Sequence, residues 1–187
     1  MTTRGKYPSL EKQWQKMMFS FFPYQSTKNR HATSEEWKIR RLIWDFKDGR
    51  SFINVAYMTA NKIQKLYGEE SKNIVFACVP ASSIEKNEKR YKAFSSMVCE
   101  LCGTINAYEY ISIEGEKLAV HESKEAKTLY PVQVINFDKQ FFKGKRVLVF
   151  DDILTKGFAY ARFANQIEKL GAEVLGGIFI GKTVLHD

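Results

Sequence analysis

Arg146–Ala159 reads RVLVFDDILTKGFA. Val147, Leu148, Val149 and Phe150 form an unbroken apolar run, which suits a strand covered on both faces of a parallel sheet. Asp151 and Asp152 follow, where that strand is expected to end. Thr155, Lys156 and Gly157 make a short loop, after which Phe163, Ile167 and Leu170 recur at helical spacing. Open α/β sheets hold ligands where strand ends lead into helix starts. Free N–H groups at a helix N-terminus suit a phosphate, and adjacent carboxylates suit hydroxyl groups or a metal-bound ligand.

A ribose carrying a 5′-phosphate and a magnesium-bound diphosphate has all of these groups. Val147–Phe158 resembles the phosphoribosyl diphosphate (PRPP) motif of type I phosphoribosyltransferases: four apolar residues, two acidic, two apolar, then Thr-x-Gly-x-Thr/Ser. It departs at Ala159, where the family has a hydroxyl residue, and Lys156 stands where a second Thr is common. The resemblance implies catalytic roles for Asp151 and Asp152, which would engage the ribose hydroxyls directly or through a magnesium shell. Thr155, Lys156, Gly157, Phe158 and Ala159 would wrap the 5′-phosphate with N–H groups, Gly157 allowing close backbone approach. The plain alternative for the same residues is a strand, turn and helix with acidic capping groups.

Working outward, Asn73–Pro80 (NIVFACVP) reads as another buried strand, and Ala81–Arg90 is polar and charged. A helix from about Asn87 to Cys102 would bury Tyr91, Phe94, Val98 and Leu101 and stop at Gly103. This strand, loop and helix resemble the diphosphate-binding segment of the competence-protein-F-like branch of the same family, and Ile39–Arg50 resembles that branch's approach to the sheet. The branch's Arg-Gly-Phe-Asn helix start is absent, since Arg90 precedes Tyr91-Lys92-Ala93, and its second Pro is absent too. By this resemblance Ser82 and Ser83 would donate to a diphosphate and Lys86, Lys89 or Arg90 would neutralise it; otherwise they form a solvated loop and helix start. Related domains occur in DNA-uptake systems, which by analogy keeps a nucleic-acid partner in view.

The chain has 187 residues, enough for one α/β domain with an appendage. A net charge of +8 and a pI near 9.3 favour polyanionic partners. Several cations fall early: Arg4, Lys6, Lys12, Lys16, Lys28, Arg30, Lys38, Arg40 and Arg41. Cys78, Cys99 and Cys102 make no disulfide framework, and Cys99-x-x-Cys102 lacks the second pair a zinc site needs. With no secretory signal and no transmembrane-length apolar run, the expected location is cytoplasmic, with no membrane contact.

Residues 1–32 read as an N-terminal arm, either a core-covering helix over Lys12–Phe22 or an aromatic, basic surface for a partner. Thr33-x-x-Glu36 is a capping-box signature opening a helix with Ile39, Leu42, Ile43 and Phe46 inward. A second helix follows from about Ser51, with Phe52, Val55, Ala56, Thr59, Ile63 and Leu66 inward and its end at Gly68. Ile105–Val120 alternates as one strand, or as a hairpin with Lys117–Val120 after a turn at Glu114-Gly115, and His121–Tyr130 reads as a flexible loop that in the resembled family closes over substrate. Val132–Ile135 and Val174–Ile180 are the remaining strands.

The expected architecture is α/β: a phosphoribosyltransferase-like, doubly wound, mostly parallel sheet over 33–187, with an N-terminal helical extension. The expected function is binding of PRPP or a nucleotide, with magnesium as cofactor and phosphoribosyl transfer to a nitrogen acceptor. The alternative is a transfer-inactive ligand-sensing or nucleic-acid-associated module in a larger assembly of DNA uptake or defence. A nucleic-acid or protein partner on the basic N-terminal region and a homo-oligomer complete the expectations.

Overall fold

The structure is a computed structural model that describes residues 7–25, 32–123 and 126–184, with side chains described outside 115–133. Five strands form one sheet, in the order β1 (Met17–Tyr24), β7 (Glu173–Thr183), β6 (Arg146–Leu154), β2 (Ile74–Cys78), β3 (Ile105–Asn106). Every pairing in it is parallel. Val147 to Phe150 are fully buried because β6 has a strand on each side and helices on each face.

Side chains that alternate along these strands feed two cores. Ile74, Phe76, Leu148, Phe150, Ile178 and Ile180 pack with α2 (Ser34–Lys47), α3 (Phe52–Tyr67) and α5 (Ala93–Cys102). Val75, Ala77, Val147, Val149 and Phe179 pack on the other face with α1 (Pro8–Trp14), α6 (Lys139–Phe142) and α7 (Phe158–Lys169). This is the expected α/β architecture, a doubly wound parallel sheet.

Local signals placed α2 and α3 well. The Thr33 side chain accepts from the Glu36 N–H and the Glu36 carboxylate accepts from the Thr33 N–H, closing the capping box. Leu66 in α3 and Leu101 in α5 are exceptions: each is 40% exposed rather than inward. The helix after β2 starts at Ile84, earlier than expected. It runs as α4 (Ile84–Asn87), a π-helical turn over Glu88–Lys92, and α5.

Three expectations are corrected. Lys12–Phe22 is not one helix: α1 stops at Trp14, and Met17–Tyr24 is an edge strand parallel to β7. Aromatic spacing fitted a helix face, but covering the open edge of β7 outweighed it. Gly176, at φ +155°, accommodates that strand, since a Cβ there would lie 2.2 Å from the Met17 carbonyl oxygen. His121–Tyr130 is not a loop, and the turn expected at Glu114-Gly115 is only a register shift within β4: β4 (Ile111–Ser123) and β5 (Ala126–Phe137) form an antiparallel hairpin with that shift between Glu114 and Lys117. Backbone ladder bonds do not require apolar side chains, so charge hid these strands. Lys124 and Glu125 lie outside the described residues. Third, β6 does not end before the acidic pair but runs on to Leu154, because β7 keeps pairing with it to Lys182.

Candidate functional site

The chain passes from β2 to β3 on one side of the sheet and later to β6 on the other, so the order reverses between β2 and β6. In open parallel sheets such a switch point leaves a crevice beyond the strand ends. Pairing of β2 with β6 stops at Cys78 and Phe150, which places Asp151 and Asp152 at that crevice while β7 still holds them.

Because both acidic residues are in extended strand, their side chains leave on opposite faces. Asp151 lines a groove of about 310 Å³ with Ile153 through Tyr160 and Phe179. Asp152, only 7% exposed, turns to the other face, where Arg90 Nη1 meets its Oδ2 at 2.9 Å and Lys47 Nζ lies 3.6 Å from its Oδ1. Arg90 also donates through Nε to the Lys47 carbonyl at 3.3 Å, tying the end of α2 to the π-helical turn. The Asp152 N–H donates to Asp151 Oδ1 at 2.8 Å. Burial and the adjacent Asp152 carboxylate push the Asp151 carboxyl well above the usual range, against that N–H bond, Lys47 and Arg90.

The loop after Leu154 opens α7. Gly157 caps the helix at φ +72°, with no side-chain cap, so the first N–H groups of a 12-residue helix are left without one. Thr155, Lys156 and Ala159 are exposed, and Thr155 Oγ1 lies 2.9 Å from Thr183 Oγ1. Tyr160 lines the groove, is 1% exposed, and its hydroxyl has no hydrogen-bond partner among the described residues. The loop is braced from behind by the arm. Trp14 Nε1 donates to the Gly157 carbonyl at 3.1 Å, and Tyr7 and Trp14 meet the Phe158 ring edge-on. A Cβ on Gly157 would come within 2.9 Å of Trp14 Nε1, so the close backbone approach there is made by the protein itself.

The residues of the second segment are spread out. Ser83 accepts from the Lys86 N–H and caps α4, while Ser82 and Lys86 are exposed. Arg90 alone reaches the acidic pair. Beside this segment lies a small cavity of about 10 Å³, lined by Cys78, Tyr91, Ser95, Asn106 and Tyr108, with room for about one water. The sequence reading missed Lys47 and Trp14. A Lys at a helix end and a Trp in an arm carry no motif, and only the fold brings them to the site.

The residues present do not fit a protein-held magnesium ion. Asp152 is committed to two cations, Asp151 faces away from it, and no group of three or more His, Cys, Asp or Glu among the described residues is arranged to hold a metal.

No protein-family model matches the chain, and no curated protein matches it. Solved structures share parts of its shape. Its neighbours in shape include phosphoribosyltransferases. Adenine phosphoribosyltransferase from Rhodothermus marinus is 15% identical over 66% of this chain and 64% of its own, with a TM-score of 0.41. Purine phosphoribosyltransferase from Pyrococcus horikoshii is 14% identical over 79% of this chain and 88% of its own, at 0.40. Phosphoribosylpyrophosphate synthetase from Mycobacterium smegmatis is 16% identical over 69% of this chain, at 0.39, and this chain spans only 34% of it. Likenesses this distant concern shape alone.

Proposed function

We propose that the chain binds a 5′-phosphorylated ribose ligand, PRPP or a nucleotide, in the groove bounded by Asp151 and Thr155–Ala159. One observation carries this reading: helix α7 opens without a side-chain cap onto that groove, at the switch point of a parallel sheet. The phosphate would sit on the N–H groups at the start of α7, beside the Thr155 hydroxyl and the Lys156 ammonium. The sugar hydroxyls would face Asp151. Lacking a hydroxyl at Ala159 removes one hydrogen bond to an anion, worth about 1.5–3 kcal/mol. Transfer to a nitrogen acceptor would need both carboxylates at the sugar, whereas Arg90 and Lys47 hold Asp152 away; this favours a module that binds its ligand without transferring it.

Calorimetry with PRPP and with adenosine monophosphate tests the reading, using Ala159→Glu as the probe. A carboxylate at that exposed position favours the helix dipole yet repels a phosphate. The expected result is binding at millimolar ligand or better in the native chain, a loss of about tenfold or more in the variant, and no drop in melting temperature. No heat with either ligand would overturn the reading.

A second reading, contact with a nucleic-acid backbone, is supported by one surface of α2. Trp37 is 40% exposed and, with Ser34, Lys38 and Arg41, lines a shallow groove of about 380 Å³. The early cations are not all available to it. Lys12 and Lys16 pair with Glu168, and Arg40 is buried, donating to the Gln25 carbonyl at 3.0 Å. Arg4, Lys6, Lys28 and Arg30 lie outside the described residues.

A further inference from the structure

The resemblance carried by Val147–Phe158 implies a ligand that arrives as a magnesium diphosphate, yet two of the groups that would receive such a ligand, Asp152 and Arg90, are engaged with each other. Asp152 is the clearest case. It is 7% exposed, with Arg90 on one oxygen at 2.9 Å and Lys47 near the other at 3.6 Å. The Arg90 guanidinium is itself fixed, since its side chain is only 15% exposed and its Nε is held by the Lys47 carbonyl, whereas the Lys47 side chain is 35% exposed. Freeing Asp152 for a metal would strand a guanidinium in a largely buried place, which is costly.

The diphosphate end is depleted by the same contact. Arg90 is the basic residue nearest the acidic pair, and its charge is already matched by Asp152. Ser83 is turned to capping α4, and Ser82 stands exposed on the loop. The 5′-phosphate end, by contrast, is open. The α7 N-terminus has no side-chain cap, and the groove in front of it is lined by the exposed Thr155 and Lys156. Among the described residues, Asp151 is the one carboxylate lining this groove.

We propose that Arg90 and Lys47 take the place of a divalent cation at Asp152, so that the groove receives a ribose 5-phosphate unit without a 1-diphosphate and without magnesium. This rests on the reading that the groove binds a 5′-phosphorylated ribose. The ligand class it names is narrower: ribose 5-phosphate itself or the equivalent part of a nucleoside monophosphate. Asp152 then supports the fold, and Asp151 alone meets the sugar.

Four titrations of the full chain test this: ribose 5-phosphate and PRPP, each with magnesium chloride and each with EDTA. Ribose 5-phosphate is expected to bind with the same affinity, within about twofold, in both buffers, and PRPP is expected to bind no tighter than it. Tightening of PRPP by about tenfold or more on adding magnesium would overturn the inference while leaving the groove as a phosphoribosyl site. Absence of binding by either ligand in either buffer would remove the underlying reading as well. Asp151→Asn separates the two carboxylates without disturbing the Arg90 pair. It is expected to weaken ribose 5-phosphate about tenfold, with the melting temperature retained, and an unchanged affinity would count against the assignment.

Discussion

Glu168 shows how one side chain fixes the arm. Burial pushes its carboxyl up, but hydrogen bonds from Lys16, Lys12 and Gln13 outweigh that and hold it at about 2. A carboxylate held below its ordinary range adds stability that is fully present above about pH 4.5 and is lost as pH falls towards 2. Unfolding free energies from urea titration of the native chain and Glu168→Gln should therefore differ by about 1–3 kcal/mol at neutral pH and converge near pH 2. A constant gap across that range would refute the pairing. The second residue-scale test concerns Asp152. Asp152→Asn leaves Arg90 largely buried and unmatched and should cost about 3–5 kcal/mol, whereas Asp152→Asn with Arg90→Met should recover much of it; thermal denaturation of all three chains reads this out. Sequence showed Asp151 and Asp152 as a pair. It could not show that the pair is split, because the split follows from β6 being held in strand geometry by β7 beyond the point where an apolar pattern ends.

At the scale of elements, what was legible followed from local chemistry. The capping box at Thr33, the continuous apolar run of β6 and the glycine stop after α5 each act within a few residues, and each appears where the pattern put it. What was illegible depended on distant partners. Met17–Tyr24 is a strand because β7 needs an edge partner, and the hairpin β4–β5 is made by its own ladder in spite of its charges. Pro23 fits that edge, where one side of the strand needs no N–H. Deleting residues 1–24 should leave β7 with an unpaired edge next to Ile178, Phe179 and Ile180, and should turn a monodisperse peak in size-exclusion chromatography into aggregate. A truncated chain that stays monodisperse and melts as the full chain does would show that β1 is dispensable.

For the whole molecule, the excess of positive charge sets a separate expectation. Trp37 and Trp44 are both about 40% exposed on α2, and Lys38 and Arg41 lie beside Trp37. If a single-stranded oligonucleotide binds there, its affinity should fall with salt, and Lys38→Glu with Arg41→Glu should lower the log–log slope by about 0.7 per lost phosphate contact. Ligand binding at α7 should be unaffected. No tryptophan quenching at low salt would leave that surface as solvated charge. Among the described residues no helix is long and apolar enough to cross a membrane.

The parallel pairing of β1 with β7 also sets an order of events in time. Met17 aligns with Gly176, about 160 residues later in the chain, and Trp14 reaches Gly157. At about 5–20 residues per second, a ribosome finishes β7 roughly ten to thirty seconds after it makes β1. Throughout that interval the aromatic strand waits without its partner. The β1 segment is thus made early and docks late, once β7 exists.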